Sequence, residues 1–297
     1  MRLLRLLLAV SVAGKELLYL HELASSREPP TGEALREAIA LQLSHIHSVN
    51  HDGQTPLHLA ASEGTPEVLQ ALIAAGAKVS AKDAVGREPM HYISMLNVQV
   101  ALAAGFVREE LDRQQRVKVA MLRDAGAAID REGRDGMTPL HLAIQFGNMG
   151  ALEALAASNA NLEARSPHGT ALHLAAMIGD AEAIRRLTKW GADLYAEHSL
   201  GFSPLFIAIM TGQVDAITAL VAVGSSLEQV QKEGLSPLQF AVTLGKVSTI
   251  MSLVAAGADP HASSSQGVAS PFEMAGTNMT ILKALNQRVD PSEGATR

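Results

Sequence analysis

Apolar residues along this chain come in paired short clusters set at nearly regular intervals. The first cluster of a pair reads TPLHLAA at Thr55, TPLHLAI at Thr138, TALHLAA at Thr170, SPLFIAI at Ser203 and SPLQFAV at Ser236, with weaker copies at Glu88 and Ser270. Nine residues after each anchor stands Gly64, Asn97, Gly147, Gly179, Gly212 or Gly245, residue types that tolerate the left-handed backbone ending a helix. The first cluster is therefore a helix of about two turns. A Thr or Ser oxygen can cap its free N–H groups, and the following Pro has a φ suited to the first turn. A second apolar stretch, such as PEVLQALIAAG or AEAIRRLTKWG, reads as another helix, closing at Gly76, Gly126, Asn159, Gly191, Gly224 or Gly257. A polar link rich in turn residues then leads to the next pair.

The steps between anchors are 33, 50, 32, 33 and 33 residues, so one unit carries about 17 extra residues and the others keep period. In its period and its T-P-L-H-x-A signature the sequence resembles the ankyrin-repeat family over roughly residues 46–285. The resemblance implies an all-α ankyrin-repeat solenoid, with stacked helix-turn-helix units and β-hairpin fingers made by the links. It also implies that His58, His91, His141 and His173 hydrogen-bond with the motif threonine and nearby backbone, as structural groups. Four repeats depart from the motif: Glu88 replaces Thr, Ala171 replaces Pro, and Phe206 and Gln239 replace His. Each departure is expected to remove one part of the capping network.

The chain divides accordingly into a hydrophobic N-terminal segment (1–13), a degenerate capping repeat (14–52) and repeats at 53–85, 86–135, 136–167, 168–200, 201–233 and 234–266. A C-terminal capping repeat (267–289) and a polar tail expected to be mobile (290–297) complete it. The extra residues lie between Asn97 and Gly126. Their pattern is helical over 107–123, so the second helix of that repeat is lengthened or preceded by another.

Composition narrows the function. Aromatic residues are 3% of the chain, which favours closely stacked small-residue helices over sandwiches or barrels, and the net charge of -6 argues against a nucleic-acid partner. The chain has no cysteine, excluding disulfides and thiolate chemistry, and no apolar stretch long enough to span a bilayer. Residues 1–13 read either as a short secretory signal, which would place the protein in the periplasm or outside the cell, or as a helix on the first repeat. Cytoplasmic placement follows from the second reading. No phosphate-binding loop, nucleophile elbow or zinc-protease motif occurs. His45, His47 and His51 have no thiolate partner and only Asp52 as a neighbouring carboxylate, so no cofactor, metal or catalytic residue is expected.

The expected role is non-catalytic binding of another protein, as inhibitor, adaptor or chaperone-like holder. In the family, the ends of the first helices and the fingers face partners. This directs attention to Leu96, Phe146, Met177, Ile178, Met210 and Leu244, with Arg87, Arg134, Arg165, His168 and His198 as polar contacts at the rim. An exported protector that regulates an enzyme, self-assembly through the apolar row of an otherwise monomeric chain, and an enzyme using the insertion are the contrasting readings.

Overall fold

The computed structural model describes residues 16–26, 32–96, 98–103, 105, 107–263 and 267–286. Residues 1–13, the tail 290–297 and Asn97, the expected end of a first helix, lie outside the described residues. The chain forms two compact units, one ending at Asn161 and the other beginning at Leu162.

In the first unit one row of first helices comprises α1 (Glu16–Ser25), α3 (Pro56–Ser62), α5 (Pro89–Ser94) and α8 (Pro139–Gln145). A second row comprises α2 (Gly32–Ala40), α4 (Pro66–Ala74), α7 (Arg108–Asp124) and α9 (Met149–Ala157), with the short helix α6 (Val98–Ala103) ahead of α7. The second unit repeats the plan. Its first helices are α10 (Ala171–Ile178), α12 (Pro204–Thr211), α14 (Pro237–Thr243) and α16 (Pro271–Ala275). Its second helices are α11 (Ala181–Lys189), α13 (Val214–Ala222), α15 (Val247–Ala255) and α17 (Met279–Leu285). Within each unit, each helix packs on its counterpart in the next repeat.

Local chemistry explains why these helices start and stop here. Thr138, Ser236 and Ser270 accept a hydrogen bond from the amide three residues on, and Pro follows each at the first helical position. Gly179 ends α10 in the left-handed conformation, with φ of 88°. The small residues then let neighbouring helices approach. Leu57, Ala60, Ala61, Leu69 and Leu72 in the first unit, and Ala175, Ile184, Ala208, Ile217 and Leu220 in the second, are wholly buried. Helices of five to nine residues are too short to hold themselves in water, so this packing stabilises them.

The motif histidines bind one repeat to the next. The Thr55 amide donates to His58 Nδ1 at 3.1 Å, and Nε2 on the other side of the ring donates to the Arg87 carbonyl at 3.1 Å. His173 repeats the arrangement, accepting from the Thr170 amide at 3.2 Å and donating to Phe202 O at 3.0 Å. The expectation that each departure from the motif weakens this network holds at Phe206 and in part at the Glu88 repeat, where His91 Nε2 is buried without a hydrogen-bond partner among the described residues. Gln239 accepts from the Ser236 amide at 2.8 Å and donates to Ala269 O at 2.7 Å, doing with an amide what the ring does elsewhere. Glu88 forms a capping box with His91, and Thr170 caps α10 although Ala171 stands where Pro would. Phe206 has no polar atom to offer and stacks among Phe202 and Phe240 instead. The degenerate first repeat has its own tie. His21 Nε2 lies 3.1 Å from Gln54 O, the carbonyl just before the Thr55 anchor.

The links are shorter than hairpins. Among the described residues they show one isolated bridge, between Ser166 and Gly169, in place of a ladder. The reason is a side chain that takes the amides a ladder would use: Asp83 Oδ1 accepts from Val85 N at 2.9 Å and Arg87 N at 2.8 Å, and Asn50 does the same for Asp52 and Gln54. Neighbouring turns are tied by the Ala84 amide to Asp52 O at 3.1 Å and the Arg134 amide to Val85 O at 3.0 Å. Tyr92 adds a further tie, donating to Asp83 Oδ2 at 2.6 Å while accepting from Gln54. Burial and that carboxylate push its hydroxyl up to about 12.

The extra residues of the second repeat are α6 and the N-terminal half of α7. Counted from the anchors, residues 116–124 are the regular second helix, and everything in α7 before them is added. That added half crosses α9 at Gly150, where a Cβ would stand 2.5 Å from Asp112 Cα. Backbone cannot step aside as a flexible side chain can. Gly150→Ala is expected to cost about 2 kcal/mol of stability through overpacking, and a urea melt that matches the wild type would show that the added half does not dock on α9.

Candidate partner-binding face

The ends of the first helices are candidates for a binding face, because the middles of these helices are buried between neighbours. In the second unit these ends carry apolar side chains. Ile178 at the end of α10 is 41% exposed, Met210 in the last turn of α12 is 37% exposed, and Leu244 just after α14 is 40% exposed. They occupy nearly equivalent positions on three consecutive repeats, so packing places them side by side along one row. Met177 is half-buried, and its carbonyl accepts from Gln213 Nε2 at 3.2 Å. That bond holds the end of α10 on the next repeat.

The first unit is different. Leu96 does not face outward; it packs against Val98, Ala101 and Leu111, a small core formed by the insertion. The added helices cover it. Phe146 is half-buried at the end of α8.

Most of the rim residues serve the fold. Arg87 pairs with Asp135 at 2.5 Å and is 22% exposed, so it joins one turn to the next. Arg134 Nη1 donates to Ala84 O at 2.9 Å, and Arg165 Nη1 donates to Glu197 O at 2.8 Å. A charged side chain near an unpaired turn carbonyl finds a partner within its own array, which sequence spacing does not reveal. His168 is exposed, whereas His198 is half-buried with its ring 5.9 Å from that of His173. Two exposed apolar residues on the links of the second unit escaped the sequence reading: Leu200, 64% exposed, and Tyr195, 44% exposed. Their signal was an apolar residue within a turn-rich link.

The titratable groups are those of a structural core. Burial lowers His58 and His91 and brings His173 down to about 4, against the opposing pull of its bond to the Phe202 carbonyl. Each is a ring held neutral by its surroundings. Among the described residues no group of three His, Cys, Asp or Glu could hold a metal ion, and no helix is long and apolar enough to cross a membrane.

Comparison with known proteins agrees with this geometry. A family model for ankyrin repeats in three copies matches residues 112–198 and 172–264, and a model of the single ankyrin repeat matches residues 52–84. The chain belongs to the ankyrin-repeat family. Similar curated ankyrin proteins include Rabankyrin-5 of Mus musculus, 34% identical over 193 residues that make up 57% of this chain and 15% of that protein. Neurogenic locus notch homolog protein 1 of Cricetulus griseus is 30% identical over 63% of this chain and 7% of its own length. The chain thus spans a small part of the relatives it matches. The ankyrin repeat domain of Bcl-3, a member of the IkappaB protein family, superposes with a TM-score of 0.62 at 22% identity, covering 80% of this chain and 97% of that domain. The human ASB11 ankyrin repeat domain gives 0.58 at 22%, covering 78% and 96%. These likenesses establish the ankyrin fold; ankyrin repeats are in general protein–protein interaction modules.

Proposed function

We propose that this ankyrin array holds another protein against the first-helix ends of its second unit, without catalysing a reaction. The observation that carries the reading is the row of Ile178, Met210 and Leu244, exposed on consecutive repeats. An isolated exposed leucine is ordinary, whereas three aligned apolar side chains keep a strip of surface poorly hydrated until something covers it. Leu200 and Tyr195 add exposed apolar side chains on the links of the same unit, where His168 and Lys232 are exposed polar groups. Because the helices that present the row are already packed, association orders few additional groups.

Covering one such side chain, already more than half buried, contributes about 1 kcal/mol, and a carboxylate buried in its place adds a larger desolvation cost. Ile178→Glu with Met210→Glu should therefore weaken capture of a native partner more than a hundredfold, with the helical circular-dichroism spectrum unchanged. Met251→Glu, on the second helix α15 and 37% exposed, is the control and should leave capture intact. Undiminished capture by the double variant would place the partner on another face. Light scattering of the pure protein adds a second arm, since a dimer dissolved by the same substitutions would mean that the row is covered by a second copy.

A further inference from the structure

The insertion creates a feature that the regular repeats lack. Lys118 is the third residue of the regular second helix of its repeat, where the others have Val68, Ala151, Ala183, Ala216, Thr249 and Ile281, all buried. Lys118 is itself 1% exposed, and its Nζ donates to the Ala61 carbonyl at 3.0 Å. An ammonium has three N–H groups, and that carbonyl takes one of them. Beside it lies a cleft of about 80 Å³ between the loop after α3 and the insertion. Since one water takes about 30 Å³ of liquid, this is room for a group of a few heavy atoms. The cleft has two characters. Lys118 and Gln115 line one part, and Gln115 Oε1 is buried without a hydrogen-bond partner among the described residues. Leu96, Ala101 and Leu111 line the other. Thr65, the N-cap of the nine-residue helix α4, brings the positive end of a helix dipole to the same wall.

We propose that this cleft binds a short monocarboxylate of two or three carbons, its carboxylate against the Lys118 amine and its alkyl end against Leu96, Ala101 and Leu111. The amine end and the alkyl walls together select an amphiphile of that size over a bare inorganic anion. Gln115 takes part through its amide. Which end of a glutamine side chain carries the nitrogen is set by its hydrogen bonds, and a carboxylate there would draw the Nε2 donor inward. Glu63 is the other charged residue on the cleft wall; it is exposed to water, where its charge is screened. On α9, which packs along α7, Glu153 is engaged by Arg116 at 3.2 Å.

Burial disfavours the charged amine and brings it down to about 7, while Glu63 pulls it the other way. A bound carboxylate would supply the counter-charge and draw a proton onto Lys118. Binding and protonation are therefore linked, and affinity should fall about tenfold for each pH unit above 7.

The test is an NMR titration of the labelled protein with sodium acetate, sodium propionate, sodium benzoate and sodium chloride, at pH 6.5 and 8.5. Acetate and propionate should shift resonances of residues 61–65 and 114–118 saturably at pH 6.5, with affinity lower by tenfold or more at pH 8.5. Benzoate, too large for the cleft, and chloride, lacking the alkyl end, should not. Lys118→Met should abolish the response. Its fold should persist, because apolar residues fill the same position in other repeats. Ala101→Leu, which fills the alkyl end and leaves the amine in place, should abolish it as well. Shifts of equal size with chloride, shifts that survive Lys118→Met, or no saturable shift with acetate would each overturn the proposal.

Discussion

Lowering the pH from 6.5 to 4 should remove about 3 kcal/mol of folding stability through His173 alone. Burial brings the folded ring down to about 4 from 6.5, so between those limits the unfolded chain binds the proton and the folded chain does not. The stabilisation is complete above 6.5 and is lost as the pH falls through about 4. At about 1.4 kcal/mol for each tenfold change in proton affinity, the difference between those two values sets the magnitude. His58 and His91, lowered by the same cause, add to the slope in the same direction. Carboxylates also titrate in this range, so the wild-type curve alone cannot isolate the ring. The chain supplies its own control. Gln239 makes both bonds of the motif histidine with a side chain that does not titrate. His173→Gln should therefore keep most of the stability at pH 7, and at pH 4 its urea midpoint should lie above that of the wild type. Equal losses in the two proteins would mean that His173 is not held neutral by the fold.

That substitution also shows which parts of the molecule can be read from sequence. The first helices were legible because cap, proline, histidine and glycine stand at fixed offsets, each with a local reason to be there. Gln239 was harder, since a change of residue type looks like a lost contact until geometry shows an amide spanning the same two backbone groups. His21 has no T-P-L run before it, so only the bond to Gln54 O reveals that the first repeat uses the same tie. The candidate face divides along the same line. Ile178, Met210 and Leu244 could be placed by counting within regular repeats. Leu96 could not, because what covers it comes from the insertion, whose docking depends on contacts distant in sequence, such as that of Asp112 with Gly150. The arginines at the turns show the limit most plainly: Arg134 is recognisable as exposed and basic, but its bond to Ala84 O crosses 50 residues.

The largest single effect is expected at Lys118, where the stability of the wild type relative to Lys118→Met should rise by about 5 kcal/mol between pH 7 and 10.5. The unfolded amine titrates near 10.5 and the folded one near 7. Below pH 7 both states are protonated, so the folded protein carries the full cost of a buried charge whose one acceptor is the Ala61 carbonyl. Above 10.5 both are neutral and that cost has gone. Methionine has similar length and no charge, and should flatten this slope while leaving Ala61 O without its donor, at a cost of about 2 kcal/mol. The two curves should then cross: the variant is more stable at pH 6, and the wild type is more stable near 10.5. Denaturant melts across that range, with the variant as reference, cancel the contribution of other groups such as Tyr92, which titrates higher. A pH-independent difference between the two proteins would mean that water reaches the amine and that the insertion does not seal it. A crossing would establish that the added half of α7 closes over a lysine in a position of the ankyrin repeat otherwise filled by Val, Ala, Thr or Ile, the burial on which carboxylate binding in the adjoining cleft also depends.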